Sequence, residues 1–377
     1  MNETMIRGQQ TRPTLLLAEA QARRNLQRMV RRVQLAGGGF RPHFKTHQAA
    51  ELGEWFGAEG VRQITVSSLY MARYFADHGW DDITVAVPVN VAAMAEIRAL
   101  ARRVKLGVLV ESPTAVSLLS AHCPEPLTLW IEADVGYRRT GVWYEDVARY
   151  VELCAKITAV PHFQLAGLLT HAGHSYEARG EAEITAVHET SVARLLALQS
   201  QLASAGYAGL RLSVGDTPTC SVVAPEKFTA VDEMRPGNFI FYDLMMANIG
   251  ACQTSDIAVA VACPIIALYP ERGELIVHGG AVHFGKERLT TNEGEVVYGY
   301  ATSVAEGAFS GADERLALVG LSQEHGTVRV RDAALFERFA LGDRLLFLPV
   351  HSCLTADLYD HYTTLHGRVF SRLPRQF

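Results

Sequence analysis

The chain lacks a long apolar run: nowhere in its 377 residues do about 18 apolar positions follow one another, the length a bilayer-spanning helix needs. No membrane span is therefore expected. The opening residues MNETMIRGQQTRPT contain no apolar stretch of signal-peptide length, which points to a cytoplasmic protein. Cysteine is sparse, and the six residues at 123, 154, 220, 252, 263 and 353 form no CxxC pair and no tight framework, so reduced thiols are expected rather than disulfides. Positive charge is not in surplus either. The 35 basic and 40 acidic residues leave a net charge of -5 spread along the whole chain, which excludes an electrostatic footprint for nucleic acid or an anionic membrane and favours a small-molecule partner. The one basic cluster, Arg23 to Gln34, sets Leu26, Met29, Val30 and Val33 at helical spacing and reads as an amphipathic helix with a solvated basic face.

What is present in quantity is apolar sequence, 49% of residues, enough for a large barrel and a second domain. From about 38 to 243, short apolar or β-branched runs alternate with helical patterns, the mark of βα units and a parallel sheet. The runs GFRPHF, QITVSS, ITVAVP, LGVLVE, LTLWIEAD, LAGLLTHAG, LRLSVG and EMRPGNFIFY supply eight strands, and eight units fit a TIM barrel. After Ile249 the texture changes to DIAVAVACPIIALY, GELIVHGGAV, GTVRVRD, DRLLFLPV and GRVFSRL without long helices between them, which predicts an antiparallel β domain.

In a (β/α)8 barrel the reacting groups stand at the carboxyl ends of the strands. Here those ends are rich in polar residues: HFKTH with His43, Lys45 and His47; EADVGYRRTG with Glu132, Asp134, Arg138 and Arg139; THAGHSY with His171, His174 and Tyr176; SVGDTPT; and RPGNFIFYD with Tyr242 and Asp243. Lysines are few and scattered, so Lys45 at the end of the first strand draws the eye, although a lysine there is more often an ordinary snorkelling side chain. GDTP reads as a tight turn or as a phosphate cradle, since late βα loops are a barrel's usual phosphate site. A lysine amine together with such a cradle suggests pyridoxal phosphate, which needs both. Near the other end, His351 and Cys353 are two residues apart; in an extended segment they would leave the same face and could share one ion, with zinc the best match for imidazole plus thiolate. A buried cysteine beside a surface histidine is the ordinary alternative.

Taken in order, RPTLLL, RPHFKTH, DVGYRRTGV, GLLTHAGHSY, SVGDTPT, EMRPGNFIFYD, LSQEHG and PVHSC resemble the D-serine dehydratase and D-threonine aldolase group of fold-type III pyridoxal-phosphate enzymes, over nearly the whole chain. The resemblance implies an alanine-racemase-like architecture: an N-terminal segment (1–14) joining the second domain, a cofactor-binding TIM barrel (15–250) and a β domain with a metal site (251–377), with active sites completed across a homodimer. It implies Lys45 as the Schiff-base lysine and catalytic base, Arg139 near the cofactor's phenolic oxygen, Tyr176 near its ring nitrogen, Gly215, Asp216 and Thr217 as the phosphate loop, Tyr242 as a further phosphate contact, and His351 with Cys353 as ligands of zinc, or of manganese or another divalent metal. Cys353 favours a dehydratase acting on D-serine or a related β-hydroxy-D-amino acid, because the aldolases carry histidine and aspartate there. Retro-aldol cleavage to glycine and an aldehyde, racemisation, and a non-catalytic pyridoxal-phosphate protein are the other readings. One departure is His278, in an HGG turn where relatives tend to be acidic.

Overall fold

The computed structural model describes residues 11–375, so most of the expected N-terminal segment 1–14, residues 1–10, lies outside the described residues. The described chain divides into two compact units, one of residues 28–237 and one of 11–27 with 238–375.

The first unit is the expected barrel. Its eight strands are Gly39–Phe40, Ile64–Val66, Asp82–Pro88, Lys105–Val110, Leu127–Asp134, Phe163–Leu169, Arg211–Val214 and Glu233–Met234, and they pair in parallel in one continuous path. Strands of a barrel are covered on both faces, which is why Leu127–Ala133 is buried without alternation. Trp130, Leu109, Ala166 and Leu169 pack together in its core. Local chemistry starts the helices on the outside: Ser68 caps Leu69–Asp77, Ser112 followed by Pro113 opens Pro113–His122, and Asp146 caps Val147–Thr158.

Two strands are shorter than their apolar runs predict. The first stops at Phe40 and the last at Met234, because each is followed by Arg-Pro, and proline removes a ladder donor. The seam between the first and second strands closes instead by an isolated parallel bridge, His43 to Thr65, with Phe44 N–H donating to the Thr65 carbonyl (2.9 Å) and Thr65 N–H to the Pro42 carbonyl (2.9 Å). Arg41 fastens this seam from inside: its guanidinium donates to Glu233 (2.7 Å), Asp82 (2.5 Å) and Gln63 (2.9 Å) while itself buried.

The second unit is a nine-stranded sheet in the order Glu274–His278, His325–Val330, Asp313–Leu321, Gly299–Thr302, Arg344–Pro349, Val259–Tyr269, Thr14–Leu17, His361–Thr364, Val369–Ser371, antiparallel except where Thr14–Leu17 meets His361–Thr364. Glu274–His278 also pairs with Val259–Tyr269, so the sheet curls back on itself. The strands Gly299–Thr302, Asp313–Leu321 and His361–Thr364 are additions to those read from the sequence.

Candidate active site

Lys45 follows the truncated first strand in a turn fixed from several sides. His43 N–H donates to the Pro236 carbonyl (2.9 Å), and a Cβ on Gly237 would come within 2.8 Å of the His43 carbonyl, so glycine is required for the last barrel loop to lie this close. Beneath the turn, Phe44 is fully buried among Phe56, Phe75 and Trp80, with ring centroids 4.8–5.0 Å away. Gln48 takes a left-handed conformation (φ 47°), and its side chain donates to the Lys45 carbonyl (3.0 Å). The backbone is thus held while the Lys45 side chain stays exposed to react.

Basic groups converge around it. Burial holds His43 neutral well below the usual histidine range, and the charges of Lys45, Arg235 and Arg139 push the same way. Burial also drives His171 down to about 3; its Gly215 bond opposes this, and Lys45, Arg139 and Arg235 add to it. His171 Nδ1 meets the Gly215 carbonyl at 2.6 Å, so the neutral ring carries its proton on Nδ1 and leaves Nε2 an acceptor. Arg235 is fully desolvated and falls to about 10, mainly by burial, while donating to Ser213 Oγ (2.5 Å) and the Thr170 carbonyl (2.7 Å). Arg139 stands exposed over the Tyr137 ring, 5.3 Å from its centroid, after the fifth strand. Arg138 beside it has φ 58° and lies over Trp143 (4.9 Å); the Asp134 carboxylate pins the loop by accepting from Gly136 and Arg138 N–H.

Gly215, Asp216 and Thr217, the residues expected to form a phosphate loop, follow the seventh strand. Asp216 caps the short helix Thr217–Val222; its carboxylate accepts from Thr219 N–H (2.8 Å), Thr219 Oγ1 (2.8 Å) and Ser175 Oγ (2.9 Å), and burial pushes it up to about 6. That side chain is committed to the loop, so what Asp216 can offer an anion is its backbone N–H. Thr217 offers more: its hydroxyl is buried without a hydrogen-bond partner, and its N–H donates to the Tyr176 hydroxyl at 3.4 Å. Gly215 cannot carry a side chain, since a Cβ would lie 2.7–2.9 Å from Arg235. A buried orphan hydroxyl in a loop near Arg235, Arg139 and Lys45 fits an anionic group such as the cofactor's phosphate. Tyr176 thus stands beside Thr217, 6.1 Å ring to ring from His171.

His351, Cys353 and Tyr242 belong to the other unit. Tyr242 is buried in a left-handed conformation (φ 48°), a strained choice for an aromatic residue, just before Asp243 caps Leu244–Asn248. The segment around His351 is not extended as its spacing suggested: His351 caps the helix Ser352–Ala356, with Nδ1 accepting from Leu354 N–H at 3.4 Å, and Cys353 lies in its first turn. The fully buried Asp243 explains the turn. It accepts from Ser352 N–H (3.0 Å), Ser352 Oγ (3.2 Å) and Asn238 Nδ2 (2.7 Å), and Asn238 Nδ2 also reaches Cys353 Sγ at 3.6 Å. Such a donor steadies a thiolate, and the buried Asn238 Oδ1 has no partner, so the donor set fits a soft divalent cation. Sequence reasoning passed over Arg41, Asn238 and Arg235; the only signal was the repeated Arg-Pro after two strands.

Comparison with known proteins follows the same division. Residues 18–244 match the alanine racemase N-terminal domain and residues 258–365 the serine dehydratase domain. The chain is 32% identical to D-threo-3-hydroxyaspartate dehydratase of Delftia sp. (strain HT23), over 94% of this chain and 93% of that one, and 28% identical to D-serine dehydratase of Dictyostelium discoideum, over 94% and 93%. The solved structure of the Delftia enzyme covers all of both chains with a TM-score of 0.89 at 29% identity; a cysteine-to-alanine variant of D-threo-3-hydroxyaspartate dehydratase in a metal-free form gives 0.90 at 28%, covering all of both. The chain belongs to the alanine-racemase-like family of fold-type III pyridoxal-phosphate proteins, in the branch that carries the serine dehydratase domain.

Proposed function

We propose that the protein is a pyridoxal-phosphate- and metal-dependent lyase that removes water from a β-hydroxy-D-amino acid, D-serine or a related compound such as D-threo-3-hydroxyaspartate. The observation that carries this reading is the convergence of Lys45, His43, His171, Arg139 and Arg235 with the Thr217 loop at one end of the barrel. Lys45, Arg139 and Arg235, with an orphan hydroxyl, suit a doubly anionic cofactor. The relatives supply the reaction: both are named dehydratases.

Lys45 would hold the cofactor, Gly215, Asp216 and Thr217 N–H groups with Thr217 Oγ1 its phosphate, and Arg139 its phenolic oxygen. When bound, the cofactor supplies an electron sink for the Cα carbanion, and a divalent ion supplies Lewis acidity for the departing hydroxide. The rest falls to the chain. Freed by substrate, the Lys45 amine takes the Cα proton. Desolvation keeps His43 and His171 uncharged, so neither adds a further cation beside that amine. Tyr176 and Tyr242 we assign to the cofactor's surroundings, Tyr176 by its place on Thr217 N–H and Tyr242 by family resemblance. His351 and Cys353 are the ligands we assign to the metal, zinc by their chemistry, with Asn238 and Asp243 holding them. By family resemblance we also infer a homodimer, and from six cysteines that read as reduced thiols a cytoplasmic location. Retro-aldol cleavage uses the same groups but removes the hydroxyl proton; Cys353, rather than aspartate, argues against it.

Borohydride reduction of the cofactor-loaded protein followed by peptide mapping tests the assignment. The reduced cofactor is expected on the peptide carrying Lys45; label on Lys105, Lys156, Lys227 or Lys286 instead would overturn it.

A further inference from the structure

The second unit holds another convergence of ligating side chains. Strand Glu274–His278 ends in His278, the HGGAVH turn enters the short helix Ala281–Phe284 with His283, and Glu324 sits in the turn between strands Asp313–Leu321 and His325–Val330. Glu324 Oε2 lies 3.7 Å from His278 Nε2 and 3.9 Å from His283 Nε2, and the three ligand atoms all fall within 4.8 Å of one another. Ligands of a tetrahedral ion at 2.0–2.1 Å stand about 3.3 Å apart, so the Glu324 carboxylate must close on each imidazole by roughly half an ångström, and the two imidazoles on each other by up to about 1.5 Å. The half-exposed Glu324 side chain has that freedom.

The backbone beneath is fixed. Gly279 N–H donates to the Glu324 carbonyl (2.9 Å), Ala281 N–H to Ser322 (2.8 Å) and Ser322 N–H to His325 (2.9 Å), while a Cβ on Gly280 would come within 2.3 Å of the Gln323 carbonyl. Gly280 thus lets the histidine turn and the Glu324 turn lie backbone to backbone. His283 Nδ1 accepts from Gly280 N–H at 3.2 Å, which places the neutral ring's proton on Nε2; metal binding at Nε2 requires the other tautomer, with the proton on Nδ1, and gives up this long bond. Tyr359 packs beside His283 (6.5 Å between centroids), and its buried hydroxyl has no partner, so water on an ion here would give it one.

We propose that His278, His283 and Glu324 form a second divalent-cation site, distinct in its ligands from the His351–Cys353 pair. Two imidazoles and one carboxylate suit zinc or another first-row cation, with one or more positions left for water. The site is tied to the first by one hydrogen bond, Thr355 Oγ1 to the Phe284 carbonyl (2.8 Å), which links the His283 helix to the helix that carries Cys353. Its ion would therefore brace the metal-bearing helix.

The test is zinc content of the cofactor-loaded protein after chelator stripping, re-equilibration with a slight excess of Zn2+ over two per chain, and gel filtration. Two ions per chain are expected in the parent, and one in each of Cys353→Ser, His283→Ala and Glu324→Gln, with at least a tenfold weaker second equivalent in the last. Glu324→Gln is nearly isosteric on an exposed turn, so a folding defect in His283→Ala does not blur the answer. A parent with one zinc that His283→Ala loses and Cys353→Ser keeps would sustain this site and sink the His351–Cys353 assignment. Zinc content unchanged in both His283→Ala and Glu324→Gln would overturn the inference, whatever Cys353→Ser shows.

Discussion

Replacing Arg41 tests how the barrel seam beside Lys45 is held. In the parent the Arg41 side chain is 3% exposed and the Glu233 side chain 2%, with Nε 2.7 Å from the carboxylate. Removing one partner of a buried ion pair strands the other and costs about 3–5 kcal/mol. In Arg41→Met, Glu233 keeps Ser213 Oγ (2.7 Å) and the charge of Arg235, so the lower end, about 3 kcal/mol, is expected. Glu233→Gln leaves Arg41 its Asp82 contact and should cost about 1–2 kcal/mol. Because both substitutions break one interaction, the double variant should fall short of their sum by about 1–3 kcal/mol. Urea unfolding of the four cofactor-free proteins measures these terms, and cofactor titration should show weaker binding in Arg41→Met, since the seam positions the Lys45 turn. A loss below about 1 kcal/mol in Arg41→Met, or simple additivity in the double variant, would refute the clasp.

Thr217→Val removes an orphan buried hydroxyl, so the cofactor-free protein should gain up to about 1 kcal/mol while pyridoxal phosphate binds roughly ten- to hundredfold more weakly; equal loss of both would contradict the phosphate assignment. Acid should weaken the cofactor-free protein through His171. Its folded affinity for protons, about 3, lies below the unfolded value of about 6.5, so the stability it confers is present above about 6.5 and lost as pH falls towards 3. By pH 5 the loss relative to pH 7 is about 2 kcal/mol, and it should vanish in His171→Asn. Asp216, raised to about 6, acts with the opposite sign, its contribution being lost as pH rises, so the two proteins must be compared at each pH. Asp243→Asn disturbs the acceptor that holds Ser352 between His351 and Cys353; lost metal with an unchanged cofactor complement is expected, by metal analysis and absorbance.

The order of elements was legible because parallel strands buried on both faces show as unbroken apolar runs such as LTLWIEAD, and the amphipathic helices show as 3.6-residue patterns. Arg23–Gln34 is such a case: Leu26, Met29, Val30 and Val33 are buried in the helix Glu19–Ala36, though Arg32 is not merely solvated, since it donates to the Cys220 carbonyl (2.8 Å). What could not be read is what depends on distant partners. Nothing near Arg41 announces Glu233, which lies 192 residues away, and nothing near Asp243 announces Ser352. The spacing of His351 and Cys353 was visible, but an i, i+2 pattern does not tell strand from helix cap, and the cap was decided by Asp243 and by His351 itself. The histidines of the HGGAVH turn were likewise visible singly; only the pairing of Glu274–His278 with His325–Val330 brings them to Glu324.

The most direct measurement of the central claim is product analysis of the cofactor-loaded protein with D-serine, D-threo-3-hydroxyaspartate and D-threonine, each with added zinc and with chelator. The account predicts ammonia with pyruvate from D-serine or with oxaloacetate from the hydroxyaspartate, abolished by the chelator and in Cys353→Ser. Glycine with acetaldehyde from D-threonine, or keto-acid formation indifferent to chelation, would contradict it.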